Sequence, residues 1–372
     1  MDLWGISYWI VKFIMDIVNF VFSGLLGLLP DPVGPFFEGI GGWCVSNGVL
    51  GFLTMLLEAL IVIIFALLNV VILIWIERKL LGRIMDARGP VYVGPLGFFQ
   101  NVADGAKLFV KQVIKPFKAD KFGYQVGPII FVASSFLILA AIPLSPEFGI
   151  VDAHRQPMPG GALFAFAVFA IAPFSILISG WAENNKYTLI GGMRSAAQMM
   201  SYEIPMLLTV ASVFLLAGSF TFSDIVNAQD SMWYGIPLIL GFVVFLVCMV
   251  AEVERIPFDL PEAEAELVEG WTTEYCGMRF GFFMFTEYLR GFAGCGIATL
   301  LFLGGWLGPS FIPGEVWFLA KAYIVFIVFV FIRASLPRIR TDQILDLGWR
   351  RLLPLAMVNL LIAVAIKTAG WF

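Results

Sequence analysis

The stretch LGFLTMLLEALIVIIFALLNVVILIWI fills residues 50–76 and contains one ionisable side chain, Glu58. A helix of about 20 apolar residues spans the roughly 30 Å hydrocarbon core of a bilayer. Glu58 stands near the outer end, where its carboxylate can reach the membrane surface or bond to a neighbouring helix. This stretch therefore predicts a transmembrane helix.

The rest of the chain repeats this apolar pattern. Of its 372 residues 60% are hydrophobic and 13% are charged, and the mean hydropathy is +0.91, outside the range of soluble globular proteins. Seven more stretches have the length and character of spans: 127–145, 162–181, 202–219, 235–251, 280–304, 317–334 and 352–368. We expect an all-α, polytopic membrane protein of about eight transmembrane helices, with one membrane domain over residues 50–372. Its inner loops are expected at 77–126, 182–201, 252–279 and 335–351.

Residues 1–49 precede this domain and contain a further apolar run at 3–29. Polar residues recur there at helical spacing and form one stripe: Lys12, Asp16, Asn19 and Ser23. Such a stripe is typical of a helix that lies in the membrane interface. An additional membrane-crossing helix and a cleaved leader are the alternatives, and the leader is disfavoured because no small-x-small cleavage site follows.

Lysine and arginine set the orientation. If the first span runs from outside to inside, one side of the membrane receives Arg78, Lys79, Arg83, Arg88, Lys107, Lys111, Lys115, Lys118, Lys121, Lys186, Arg194, Arg255, Arg279, Arg333, Arg338, Arg340, Arg350 and Arg351. The positive-inside rule makes this the cytoplasmic side. The acidic loop after the fifth of the eight spans then faces the cytoplasm.

This acidic loop, AEVERIPFDLPEAEAELVEGWTTE at 251–274, places eight carboxylates between two apolar spans. Ionisable groups at membrane depth are costly and usually mark a path for ions or protons. Glu262, Glu264 and Glu266 alternate, so their protons would titrate as a coupled set that responds to nearby charge. A proton relay is one interpretation. The other is a solvated loop surface whose acids form ordinary ion pairs, with Arg255 or Arg279.

Residues 96–113 predict an amphipathic helix on the inner surface, because apolar and polar side chains alternate there at a helical period. One interpretation is a helix held to anionic lipid by its lysines. The other is that the helix, with Asp104 on its polar side, forms a wall of a cavity. The residues alone leave both open.

Cysteine and histidine exclude several chemistries. Cys44, Cys248, Cys276 and Cys295 lack CxxC spacing, and the single histidine, His154, lies in a Pro-rich outer loop. These residues do not form an iron–sulfur or zinc framework, and no glycine-rich nucleotide motif stands between a strand and a helix. We expect no metal, no bound cofactor and no nucleic-acid partner, so any electrons must come from another protein.

Four segments of the chain carry a family resemblance. They are ERKLLGR...GP..VGPLGFFQNVADGAKLFVK at 77–111, NNKYTLIGGMRSAAQMMSYEIP at 184–205, AEVERIPFDLPEAEAELVEGWTTEYCGMRFG at 251–281 and RASLPRIRTDQILDLGWRRLLPL at 333–355. Together, and in this order, they resemble NuoH, a membrane-arm subunit of respiratory complex I. That family is also called NADH dehydrogenase subunit 1, and it includes archaeal deazaflavin-dehydrogenase relatives.

The resemblance implies a function in a larger machine. In that family this subunit forms the membrane side of a chamber in which a lipid quinone approaches an iron–sulfur cluster held by a neighbouring subunit. It also passes redox energy to proton translocation. For this chain the resemblance implies a quinone or quinone-like substrate, no cofactor of its own, and a prokaryotic plasma membrane as its location. The implied partners are hydrophilic iron–sulfur and quinone-site subunits, small membrane subunits, antiporter-like subunits and the lipid bilayer.

The family motifs also imply roles for particular residues. Those implied for the proton relay are Glu203, Glu252, Glu262, Glu264 and Glu266. Those implied for the quinone chamber are Glu77, Arg78, Asp104, Arg255, Arg333, Arg338 and Arg340. The chain departs from the family pattern in its acidic loop, where Glu254 and Glu269 are additional acids.

Simpler roles are open for some of these residues. Glu203 can cap a helix or form an ion pair at the interface, and lipid headgroups are alternative partners for Arg333, Arg338 and Arg340. Glu287 and Arg290 stand three residues apart in one predicted helix, which predicts a local ion pair between them.

Two other functions compete with the complex I interpretation. One is the membrane anchor of an energy-converting hydrogenase, which needs no quinone, but the retained RxxxxGPxxVGPxGxxQxxADGxKL segment disfavours it. The other is a stand-alone ion transporter, for which a midplane site and an internal repeat would be typical. The chain has no visible repeat.

Overall fold

The computed structural model describes residues 49–144, 160–261, 264–309 and 312–369, without the side chains of 49–58, 61, 264 and 265. The helix predicted over 3–29 and His154 lie outside the described residues. The chain divides into two compact units, Met1–Ala59 and Leu60–Phe372. The fold and the candidate site belong to the second unit.

All regular elements in the described ranges are helical. In chain order they are α1 (Val49–Ile84), α2 (Gln100–Val110), α3 (Gly123–Ala141), α4 (Gly161–Phe169), α5 (Ala172–Ala182), α6 (Lys186–Ala217), α7 (Phe222–Asn227), α8 (Ile239–Glu252), α9 (Glu264–Leu267), α10 (Met278–Phe302), α11 (Gly314–Ser335), α12 (Thr341–Asp346) and α13 (Leu353–Thr368). Short 3₁₀ turns at Pro95–Gly97 and Gly270–Thr272 and a π-helical segment at Leu347–Leu352 complete the order.

Five of the described helical segments are long and apolar enough to cross a membrane. They are α3, the α4–α5 segment Gly161–Ala182, α6, α11 and the α12–α13 segment Thr341–Thr368, and α8 is a shorter apolar helix. The all-α membrane class predicted from the sequence is thereby confirmed.

The helix α6 begins earlier than the hydropathy of the sequence predicts. Residues 186–201, expected to form an inner loop, are helical from Lys186 onward. The side-chain oxygen of Asn185 caps the start by accepting from the Tyr187 amide at 3.2 Å. Polar side chains in the first turns, among them Ser195 and Gln198, are buried and bonded to other segments. Hydropathy fails to detect these turns because their polar groups are satisfied by distant parts of the chain.

The predicted amphipathic helix is present as α2, with its polar face turned inward. Asn101 is buried and donates from Nδ2 to the Val71 carbonyl of α1 at 3.0 Å. Phe109 and Val110, on the apolar side, are largely exposed. This arrangement suits a helix at a membrane surface, since the apolar face is left for lipid.

The helix α6 is the centre of the packing, with α5, α8 and α13 against it. Asn359 of α13 joins three of these helices, because its Nδ2 donates to Ser212 at 2.7 Å and its Oδ1 accepts from the Gly241 amide at 3.0 Å. Pro205 lies inside α6 and has no amide hydrogen to donate to the carbonyl of Ser201.

Close backbone contact fixes the acidic loop on α6 at Gly191. A Cβ built on Gly191 would lie 2.8 Å from both the Gly270 Cα and the Trp271 nitrogen. We predict that Gly191→Ala pushes this turn away and lowers the stability of the folded chain by about 1–3 kcal/mol. The measurement is thermal unfolding in mild detergent. Gly105→Ala is the matched control, because no atom lies within 4 Å of its Cβ position, and equal midpoints for the two variants would contradict the prediction.

Candidate functional site

Two ion pairs cross between the C-terminal end of α8, with the residues just after it, and the first half of α10. Arg290 Nη2 lies 2.6 Å from Glu252 Oε1, and Arg255 Nη2 lies 3.2 Å from Glu287 Oε2. Each segment thus contributes one acid and, three residues later, one arginine. The predicted local pair between Glu287 and Arg290 is wrong, because each side chain takes its counter-charge from the neighbouring segment.

The Glu252–Arg290 pair is enclosed on all sides. Arg290 is 1% exposed and Glu252 is 2% exposed. The guanidinium carbon of Arg290 lies 4.9 Å from the ring centroid of Phe169 and 5.5 Å from that of Phe131. Among the described residues, Arg290 Nε, Arg290 Nη1 and Glu252 Oε2 have no hydrogen-bond partner. This ion pair is therefore held by the attraction between its charges and by the faces of the two aromatic rings. The three atoms just named could still accept or donate further hydrogen bonds.

Two further acids interact electrostatically with this pair. Glu203 of α6 interacts with both Glu252 and Arg290, and so does Glu254. The Ser195 hydroxyl donates to a Glu254 carboxylate oxygen. Three acids and one arginine thus form a coupled group in which a change of charge on one member alters the proton affinity of the others.

A small cavity of about 30 Å³ lies beside the second crossed pair. Its lining includes Arg255 and Glu287, and it also includes Glu77 of α1 and Arg333 of α11, which form their own ion pair. The remaining lining is mainly apolar, from Val253, Phe326, Phe329 and neighbouring residues. A volume of this order accommodates about one or two water molecules. Two ion pairs therefore meet at a space that water can occupy.

A third group joins α1 to α2. Arg78 Nη1 donates to Asp104 Oδ2 at 2.7 Å and to Asn101 Oδ1 at 2.9 Å. Burial alone would raise the pKa of Asp104, but the hydrogen bond and charge of Arg78 outweigh it and hold the pKa below its usual value. Asp104 is thus kept ionised on the polar side of α2.

The start of the acidic loop is shaped by bonds from α6 and from the segment after α11. Gln198 Nε2 donates to the carbonyls of Ala251 and Phe258, at 2.9 and 3.0 Å. The Ile339 amide donates to the Pro257 carbonyl at 3.1 Å, and Arg338 donates to Asp259 at 2.9 Å. One glutamine thus holds both ends of the turn that carries Glu254 and Arg255.

The structure brings together some of the residues predicted for the site and separates others. Glu77, Glu203, Glu252, Arg255 and Arg333 belong to the linked groups around the cavity and the buried pair. Glu266 instead pairs with Arg194 at 2.7 Å on the surface, so its predicted pairing with Arg255 or Arg279 is wrong. Arg340 is exposed and lies 3.7 Å from Asp342. The side chains of Glu262 and Glu264 lie outside the described residues.

Sequence reasoning missed Arg290, Glu287 and Glu254 as members of the site. A signal was present, since Glu252 and Arg255 have the same spacing as Glu287 and Arg290, with the acid first in both segments. Antiparallel segments with that pattern place each acid opposite an arginine. In the described ranges, no three His, Cys, Asp or Glu side chains come together as a metal site would require.

Comparison with known proteins identifies the family. Residues 57–364 match the protein family described as NADH dehydrogenase. The chain belongs to this family. It is 40% identical over 327 residues to the second H-type subunit of the NADH-quinone oxidoreductase of Geobacter metallireducens, covering 84% of this chain and 94% of that protein. It is 44% identical over 297 residues to the H-type subunit of the Brevibacillus brevis enzyme, covering 79% and 87% of the two chains. It is also 44% identical over 312 residues to the corresponding subunit of Bacillus thuringiensis, covering 82% and 92%.

We predict that Arg290→Met destabilises the chain by about 3–5 kcal/mol, because it leaves the buried Glu252 without its cation. The double variant Glu252→Gln with Arg290→Met should recover most of this loss, since the acid that Arg290 bonds directly then carries no charge. Unfolding in mild detergent measures both. Arg350→Met, which removes an exposed pair with Asp346, is the control and should have little effect. A double variant as unstable as the single one would contradict the prediction.

Proposed function

We propose that this chain is the H-type membrane subunit of an NADH-quinone-oxidoreductase-type complex. In this proposal it forms the membrane side of a chamber for a quinone or quinone-like carrier and relays protons through its buried carboxylates. Membership of the family and the names of the related proteins support the assignment to such a complex.

The observation that carries the proposed relay is the crossed pairing of α8 and α10. The Arg255–Glu287 pair lines the cavity, and the Glu252–Arg290 pair, one helical turn away, is buried. A negative charge that appears at the cavity attracts its arginines and weakens their hold on the paired acids. A carboxylate that loses its cation binds a proton more readily. The change then reaches Glu203 through Arg290, with which Glu203 interacts.

The proposed chamber lies where α1, α2, α10 and α11 meet. The Arg78–Asp104 and Arg333–Glu77 pairs fix α1 against two different helices, and Leu108 of α2 approaches Gly281 of α10. Between α1, α10 and α11 the cavity places Glu77, Arg255, Glu287 and Arg333 on an otherwise apolar lining, and its volume of about 30 Å³ would have to widen to admit the ring of a carrier. Such a space suits a carrier with an apolar tail and a polar ring, since the tail needs apolar walls and the ring needs few but definite polar partners.

We further propose eight spans, namely α1, α3, α4–α5, α6, α8, α10, α11 and α12–α13. The acidic loop then lies on the cytoplasmic side of a prokaryotic plasma membrane, where the basic residues concentrate. Hydrophilic subunits with iron–sulfur clusters would dock there and deliver electrons, and antiporter-like subunits would receive the redox energy within the membrane.

We predict that Glu203→Gln and Glu252→Gln each lower proton translocation and quinone reduction several-fold, because an amide neither accepts nor releases a proton. The test uses the whole complex reconstituted in vesicles and measures both rates. Asp346→Asn is the control, since it removes an exposed acid on the same side of the chain. Unchanged translocation in both single variants and in their combination would refute the relay.

We predict that Asp104→Asn raises the KM for the quinone, because it releases Arg78 from its ion pair and loosens α2 from α1. Steady-state kinetics of the complex with a short-chain quinone give this constant. Gly105→Ala, the next residue on the same helix and facing open space, serves as the control. The chamber wall is assigned wrongly if Asp104→Asn and Gly105→Ala give the same KM as the unchanged chain.

Mass spectrometry of the proteins that copurify with this chain in mild detergent tests the assignment to a complex. Iron–sulfur subunits together with antiporter-like subunits are expected. A nickel–iron hydrogenase subunit would replace the proposed function by that of a hydrogenase anchor, and a folded chain that purifies alone would refute both.

A further inference from the structure

Glu183 follows the inner end of α5, and its carboxyl group is buried away from the site described above. The residue is 2% exposed, and neither carboxylate oxygen has a well-aligned hydrogen-bond partner among the described residues. The Thr188 hydroxyl and the Glu274 backbone lie near enough to offset part of the effect of burial on its pKa. The nearby hydroxyl of Thr188 on α6 donates to the backbone carbonyls of Gly180 and Asn185. A carboxyl group in such a setting is tolerated in its neutral form and strongly disfavoured as an anion.

A second acid faces Glu183 from the loop Thr272–Gly277. Glu274 Oε1 accepts from Asn185 Nδ2 at 3.0 Å, which keeps this carboxylate next to the start of α6. Burial raises the pKa of Glu183 from 4.5 to about 9, and the charge of Glu274 adds to the rise. At neutral pH the carboxyl group of Glu183 therefore holds a proton.

The other titratable groups around this pair do not supply Glu183 with a cation. The guanidinium carbon of Arg279 lies 4.7 Å from the Tyr124 ring centroid, and Arg279 Nη1 has no hydrogen-bond partner in the described part of the chain. Tyr275 stacks on Tyr124 at 4.4 Å, and burial raises the pKa of Tyr275 as well. Asp120 binds the amides that begin α3, and Lys186 lies over the adjacent Tyr187 ring.

The loop that covers Glu183 is attached on three sides. The Tyr124 hydroxyl of α3 donates to the Glu274 carbonyl at 2.9 Å. Trp271 meets the Phe283 ring of α10 edge-on, with centroids 4.7 Å apart. On α6, Gly191 allows the backbone of Trp271 to approach closely. We expect water to reach Glu183 when these contacts open.

We infer that Glu183 and Glu274 form a second proton-holding site on the inner face, distinct from Glu252 and Arg290. We further infer that release of its proton to water loosens the Thr272–Gly277 loop from α5 and α6. The site takes a single proton as its ligand, and the loop is the element that responds.

The direction of the pH effect follows from the two states of the loop. When the loop is closed the pKa of Glu183 is about 9, and when it is open the carboxyl meets water and returns to its ordinary 4.5. Between these values the closed state binds one more proton than the open state. The equilibrium constant for opening therefore rises roughly tenfold per pH unit across that interval and levels off above it.

Hydrogen–deuterium exchange of residues 270–277 in the intact complex measures this constant, after correction for the intrinsic rate at each pH. In the unchanged chain, opening is expected to rise roughly a hundredfold from pH 6 to pH 8. Glu183→Gln should remove this dependence, because the amide does not titrate. Glu269→Gln, which removes an exposed acid of the same segment, should keep it.

Two further measurements keep the inference open to refutation if Glu183→Gln does not assemble. In Glu274→Gln the equilibrium constant for opening should level off at a lower pH, because the negative charge beside Glu183 is gone. Infrared difference spectra of the unchanged complex should show a protonated carboxylic acid at neutral pH that disappears in alkali. A pH dependence that survives in Glu183→Gln, a levelling-off unmoved by Glu274→Gln, or the absence of that acid band would each overturn the inference.

Discussion

The packing around the acidic loop depends on the pairing of Arg290 with Glu252. Either charge alone at membrane depth would be costly, and burying both is tolerated because they lie 2.6 Å apart. The pairing fixes how α8 and α10 lie against each other, since the next pair, Arg255 with Glu287, must meet in the same register. It also fixes the start of the acidic loop, which leaves α8 between the two pairs.

Features that follow from local composition were predictable from the sequence. The apolar stretches predicted the long helices, because the hydrophobicity of a span is the sum of the contributions of its residues. The alternation of polar and apolar residues predicted α2, and the density of carboxylates after α8 singled out the acidic loop as a candidate site. Glu252, Arg255 and Glu203 were found because family motifs carry them, and Asp104 was found because it lies on the polar side of an amphipathic helix.

Features that depend on which segments become neighbours were not predictable. Chain spacing suggested that Glu287 would pair with Arg290, and only packing reveals that a better-placed partner stands across the interface for each. The start of α6 was missed because Gln198 and Ser195 read as loop residues until their distant partners are known. Glu183 gave no signal at all, since Glu274, which acts on its carboxyl group, lies far along the chain.

The proline in α6 has a mechanical consequence. Because Pro205 cannot donate to the Ser201 carbonyl, one hydrogen bond of α6 is missing, and the helix bends more easily there than elsewhere. The part of α6 before Pro205 is hydrogen-bonded to the acidic loop through Gln198. The part after Pro205 is hydrogen-bonded to α13 through Ser212. Glu203 lies two residues before Pro205. A change of charge at Glu203 would therefore act next to the position where α6 bends most easily.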